Sequence, residues 1–134
     1  MAATGSVVDT GRPVVDAFAD ADVLVTDVSS LAVEWLPTGR PVVVTVPAEP
    51  GAVVGPSPLL DTLPRLAAAE APGAGELVRR CLAEDPERKR RAALVEHYLG
   101  GADPDAALER FLDAVDAVVA ERDALQAPPT RALR

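Results

Sequence analysis

Two β-branched runs joined by a short helix constrain this chain more than any other feature. Asp22-Val23-Leu24-Val25-Thr26 reads as a strand buried on both faces. Asp27-Val28-Ser29-Ser30 supplies turn and N-cap chemistry. Leu31 to Leu36 then carries one acid among apolar residues, enough for a short helix. Pro37-Thr38-Gly39-Arg40 ends it, because proline cannot continue a helix and glycine is a favoured exit. Pro41 to Val46 is the second run. A crossover between two buried strands implies parallel pairing in a right-handed βαβ unit. The polar turn then falls at the carboxyl edge of the first strand, where open α/β sheets bind ligands.

The rest of the chain fits around that unit. Ser6 to Asp9 is a short candidate strand, and Pro13 opens a helix through Ala21 with Val14, Val15 and Phe18 on one stripe. Strand–helix alternation up to Val46 predicts an α/β fold with a parallel sheet of three strands, fewer than the usual five or six. Pro47 to Pro58, with four prolines and two glycines, is a loop leaving the carboxyl edge. Leu59 to Ala71 is open between a short helix and a small edge strand at Arg65–Ala69. A helical carboxy-terminal segment follows: Glu76–Glu84, Glu87–Leu99 opened by Pro86, and Asp105–Leu125 behind an Asp103-Pro104 cap. The last helix repeats apolar residues at three- and four-residue steps from Leu108 to Leu125. One domain over residues 1–125 and a loose tail over 126–134 are expected.

Composition narrows the function. Hydrophobic residues make up 49% of the 134, so the chain folds, yet aromatics are 3%, leaving Val, Leu and Ala to fill the core. A net charge of −8 argues against nucleic acid or an anionic lipid as a general partner. One cysteine, Cys81, excludes an internal disulfide and a multi-cysteine metal site; its helical setting predicts a packed thiol. No secretory signal and no uncharged run of about 20 apolar residues is visible, which gives a cytoplasmic expectation. No cofactor or metal motif is present, and serine-hydrolase, P-loop and dinucleotide signatures are lacking.

The strongest chemical constellation is Thr26-Asp27-Val28-Ser29-Ser30 followed by Glu34. A helix N-terminus presents unsatisfied N–H groups and partial positive charge, and two hydroxyls add donors, so a phosphate can bind without lysine. Asp27 is open between fixing the turn, accepting a ligand hydroxyl and holding a metal-bound water, and Glu34, about one helical turn deeper, is placed to accept ribose hydroxyls. The same residues also serve plain capping. The single histidine, His97, has no partner in sequence reach and is not expected to act as a base. Arg88 to Arg91 reads as a solvated helix face paired with Glu84, Asp85 and Glu87.

Ala21 to Val44 resembles the carboxy-terminal donor-binding domain of the CDP-glycerol glycerophosphotransferase family of teichoic-acid synthesis. Ala21-Asp22, Thr26-Asp27, Ser29-Ser30, Glu34 and Arg40-Pro41 stand at the family's motif positions. Val28 replaces a usual aromatic and Glu34 a usual aspartate. Weaker similarity runs through Leu77–Asp85 and from Glu96 to Arg110. The resemblance implies the carboxy-terminal half of a GT-B architecture, a partial Rossmann-like sheet binding a CDP-linked alditol. Such enzymes transfer glycerol phosphate to a membrane-linked cell-wall polymer and release CMP. It further implies that Ser29 and Ser30 hold the donor phosphates. The family's catalytic histidines lie upstream of the matched segment, so no catalytic residue is assigned, and the chain is expected to be inactive alone. A missing amino-terminal half or an oligomeric partner, and at most peripheral membrane association, follow from the same resemblance. Two alternatives stay open: a fragment of a UDP-sugar-dependent GT-B glycosyltransferase or epimerase, and a non-enzymatic domain acting through protein–protein contacts.

Overall fold

A run of three valines sits at the centre of the sheet and is the most buried stretch of the chain. The computed structural model describes residues 11–49 and 51–126. Three strands, β1 (Leu24–Thr26), β2 (Val42–Thr45) and β3 (Arg65–Leu66), form one open sheet in the order β1-β2-β3. Both pairings are parallel, with Leu24 beside Val42, Thr26 beside Val44, and Val44 beside Arg65. The expected parallel βαβ unit is present, and the fold is α/β. Strand β2 is central, and Val42, Val43 and Val44 are all at most 1% exposed, so both of its faces are covered.

Strand β1 departs from expectation. Among the described residues it pairs only with β2, and Val25 is 47% exposed. The face that Val25 shares with its register partner Val43 is covered over β2 but left open over β1 at the sheet edge. The third strand is also not the expected one. The Ser6–Asp9 candidate lies outside the described residues, and the open Leu59–Ala71 stretch holds β3 instead. There Ser57 caps α3 (Pro58–Thr62), accepting from the Leu60 amide at 3.2 Å, before β3 and a 3-10 turn over Ala68–Gly73.

The helices and turns pack around this sheet. Helix α1 (Val14–Asp20) precedes β1, and α2 (Ser30–Trp35) joins β1 to β2 through a 3-10 turn over Leu36–Thr38. Pro37 tightens the end of the helix rather than stopping it. The exit is Gly39, whose φ of +68° suits a residue without Cβ. The core unites Ala32, Trp35 and Leu36 with Val42 and Val44, Leu59, Leu60 and Leu63 of the α3 region, and Leu94 of α5. The chain's one tryptophan is therefore central to a core expected to be aliphatic. Its Nε1 donates to the carbonyls of Arg40 and Pro41 at 3.1 and 3.0 Å, and Phe18 packs edge-on to it at 5.0 Å.

Helices α4 (Ala74–Glu84), α5 (Arg88–Leu99) and α6 (Pro104–Gln126) complete the fold. Helix α4 ends at Asp85, which holds φ +38°, and Pro86-Glu87 form a turn, so α5 starts at Arg88, one residue later than expected. Asp103 caps α6 by accepting from the Asp105 amide at 3.0 Å. Of the expected tail, Gln126 is helical, and residues 127–134 lie outside the description. No helix among the described residues is long and apolar enough to cross a membrane.

Candidate functional site

The turn after β1 lies at the carboxyl edge of the sheet, and its hydroxyls face each other. Thr26 is buried at the end of β1 by its pairing with Val44, and Thr45 Oγ1 donates to its carbonyl at 3.2 Å. Thr26 Oγ1 donates to Asp27 Oδ1 at 3.3 Å and lies 3.4 Å from Ser29 Oγ. Thr26 has one hydroxyl proton and gives it to Asp27, so Ser29 is the donor in the second bond. The Ser29 amide closes the turn onto the Asp27 carbonyl at 3.0 Å.

This network changes what Ser29 does. It occupies the N-cap position of α2 with extended backbone, yet its side chain makes no capping bond. The hydroxyl turns back to Thr26 instead. Among the described residues, the amides of Ser30 and Leu31 have no backbone acceptor, whereas the Ala32 amide reaches the Ser29 carbonyl at 3.3 Å. Two donors thus stand open beside the exposed Ser29 and Ser30 side chains. Asp27 and Glu34 are exposed as well. Thr26, Asp27 and Ser29 form one bonded group. Ser30 and Glu34 share the helix but make no side-chain bond to that group among the described residues.

A cavity of about 230 Å³ borders the turn, between Val28, Val46, the Val54–Pro56 loop, and Asp61 and Arg65. The loop from Pro47 therefore helps to line the carboxyl edge, as its position in the sequence suggested. Val28 contributes an aliphatic wall, and Arg65 brings a cation that the sequence reading did not single out.

A larger cavity of about 560 Å³ lies at the other end of the strands, where Gly39 and Arg40 meet α5. Two of its three arginines, Arg40 and Arg91, are committed to the fold. Arg40 Nη1 donates to the carbonyls of Phe18, Ala19 and Ala21 at the end of α1, and its guanidinium lies 5.9 Å over the Trp35 ring. Arg91 is 3% exposed, which corrects the solvated reading of the Arg88–Arg91 run. It pairs with both oxygens of Asp85, at 2.6 and 2.8 Å, and donates to the Gly39 carbonyl at 2.7 Å. Its Nε is buried without an acceptor among the described residues. Arg90 pairs with Glu87 at 2.9 Å as expected and also reaches the Asp61 carbonyl. One signal for Arg91 was in the sequence: it precedes Leu94 by three residues and so shares that residue's inward face.

The remaining candidates stand apart. His97 is exposed and stacks edge-on with Tyr98 at 4.8 Å, away from the turn in the fold's helical half. Cys81 is 3% exposed, as the packed reading expected; desolvation raises its thiol pKa, Arg80 and Arg91 oppose the rise, and Asp85 and Glu87 add to it. No protein-family model, curated protein or solved structure matches the chain.

Proposed function

We propose that this chain is the donor-binding portion of a CDP-glycerol glycerophosphotransferase-like enzyme with a Rossmann-like, GT-B-type carboxy-terminal domain. The observation that carries the reading is the uncapped start of α2. Ser29 sits at the N-cap position without capping, leaving open N–H groups and exposed hydroxyls at the carboxyl edge of a parallel strand. Ser30 and the first-turn amides would hold a donor phosphate, with Ser29 released from Thr26 to join them. Asp27 shapes the turn, and Glu34 accepts donor hydroxyls. Thr26 fixes both neighbours from below. The adjoining cavity, with Arg65 on its wall, offers room for the rest of the donor.

The reading assigns donor binding and no catalytic residue. It places the chain in the cytoplasm, at most peripherally on the inner membrane face. Isothermal calorimetry with CDP-glycerol tests it. Heat that disappears in the Ser29→Ala, Ser30→Ala double variant supports it. No heat with any CDP- or UDP-linked donor would overturn it, and preference for a UDP-sugar would move the assignment to a glycosyltransferase or epimerase.

A further inference from the structure

Helix α6 runs 23 residues, about 34 Å, and no other element packs along it among the described residues. At its base Arg110 Nη2 donates to the Leu99 carbonyl at 3.1 Å. Beyond that tie its apolar stripe stands in solvent: Leu108, Phe111 and Leu112 are 57, 63 and 51% exposed, and Val118 and Leu125 are 66 and 80% exposed. Helices in proteins draw most of their stability from packing an amphipathic face, and a contiguous exposed apolar face of this size marks an interface.

The stripe has a strict heptad order. Leu108, Val115 and Arg122 fall on one seam row, and Phe111, Val118 and Leu125 on the other, at alternating steps of three and four. We propose that α6 pairs with α6 of a second copy of this chain, antiparallel, about a two-fold axis passing between Val115 and Val118. Antiparallel seams set one row against the other. That arrangement puts Leu108 against Leu125 of the second copy, Phe111 against Arg122, and Val115 against Val118. The layers are related in pairs by the two-fold: the Arg122 stem covers the Phe111 ring, while its guanidinium keeps its bonds to Asp123 at 2.9 and 2.7 Å at the edge of the seam. A parallel pair would stack Arg122 on Arg122 inside the seam, a like-charge contact. It would also set two acidic bodies side by side, whereas the antiparallel pair places them at opposite ends.

The area suffices. At roughly 100 Å² for each half-exposed large side chain, the six seam positions of two copies remove on the order of 1,200 Å² from water, above the roughly 1,000 Å² that a specific interface needs. Glu109, Asp113 and Asp116 fall on the outer positions of this heptad, facing away from the seam, and keep the opposite side of the helix solvated. The same acids disfavour an anionic membrane as the occupant.

Sedimentation equilibrium of the full chain over a micromolar series tests the proposal. A dimer is expected, and Val118→Glu is expected to weaken it on the order of 100-fold by placing a charge in the seam. Trp35 fluorescence checks that this variant keeps its core. Leu108→Cys mixed with Leu125→Cys is expected to cross-link between copies, while Leu108→Cys alone is not. A monomer at about 100 µM, cross-linking of Leu108→Cys with itself, or helix binding to lipid vesicles without dimer formation would each overturn it.

Discussion

Arg91 and Asp85 are joined by two hydrogen bonds, at 2.6 and 2.8 Å, across the break between α4 and α5. Arg91 is buried, while the Asp85 side chain is 22% exposed. The same guanidinium holds the Gly39 carbonyl at the exit of the α2 turn, so one side chain ties three segments together. Asp85 also occupies the left-handed backbone region that asparagine and aspartate tolerate best.

The two partners of this pair are not equivalent. Asp85→Asn keeps the backbone preference but leaves a buried cation without its countercharge, and is expected to cost about 3 kcal/mol. Arg91→Met removes the buried charge itself and leaves a carboxylate that water can reach, so it is expected to cost less. Urea unfolding followed through Trp35 emission compares them. A larger loss for Arg91→Met would refute the assignment of the penalty to the stranded cation.

The pair also sets a pH dependence. The hydrogen bond from Arg91 holds the Asp85 pKa below the usual carboxylate range, against a smaller opposing effect of burial. A folded pKa below the unfolded one means stability that is present above about pH 4 and lost as pH falls through the depressed value. Denaturation midpoints between pH 6 and about pH 3 are expected to drop more steeply for the parent chain than for Asp85→Asn.

Arg40 acts as a remote cap on α1. Its Nη1 serves carbonyls at the end of that helix, where a cation is favoured by the helix dipole, and its face covers Trp35. Arg40→Ala is expected to destabilise the fold by about 2 kcal/mol and to shift Trp35 emission to longer wavelength. Arg40→Lys is expected to recover only part of the loss, because an ammonium lacks the planar fork.

Ser29 and Ser30 separate by their existing bonds. Ser29 must give up its donation to Thr26 before it can serve a phosphate oxygen, whereas Ser30 has no such bond to break. Ser30→Ala is therefore expected to weaken donor binding roughly 10-fold or more, and Ser29→Ala less. Equal losses in calorimetry would contradict the hydroxyl network.

Cys81 is expected to resist a thiol reagent in the folded chain and to react fully in denaturant. It is 3% exposed, and burial raises its pKa, which lowers the thiolate fraction. Rapid labelling under native conditions would show that α4 opens readily.

The Asp22–Val46 unit was legible because each part carries its own local signal. β-Branched runs gave the strands, Ser29-Ser30 gave the helix start, and Gly39 gave its exit. The placement of Thr26 through Ser30 at the carboxyl edge then follows from parallel pairing. The Thr26–Ser29 bond was not legible, because a serine at an N-cap position normally caps and nothing in the pattern D-V-S-S reverses that. β3 was left open because two residues carry too little periodicity to distinguish a strand from a helix end.

Sequence alone determined the parallel β1–α2–β2 unit, the succession of the last three helices and the amphipathic stripe of α6. These are local properties, fixed by periodicity, proline and glycine. Tertiary structure decided which surfaces are covered. It buried Arg91 from a run of four adjacent basic residues, put the single tryptophan at the core, exposed Val25 on a strand that looked buried, and left the α6 stripe in solvent. Burial depends on which neighbour a face meets, and that neighbour is distant in sequence, so no local pattern encodes it.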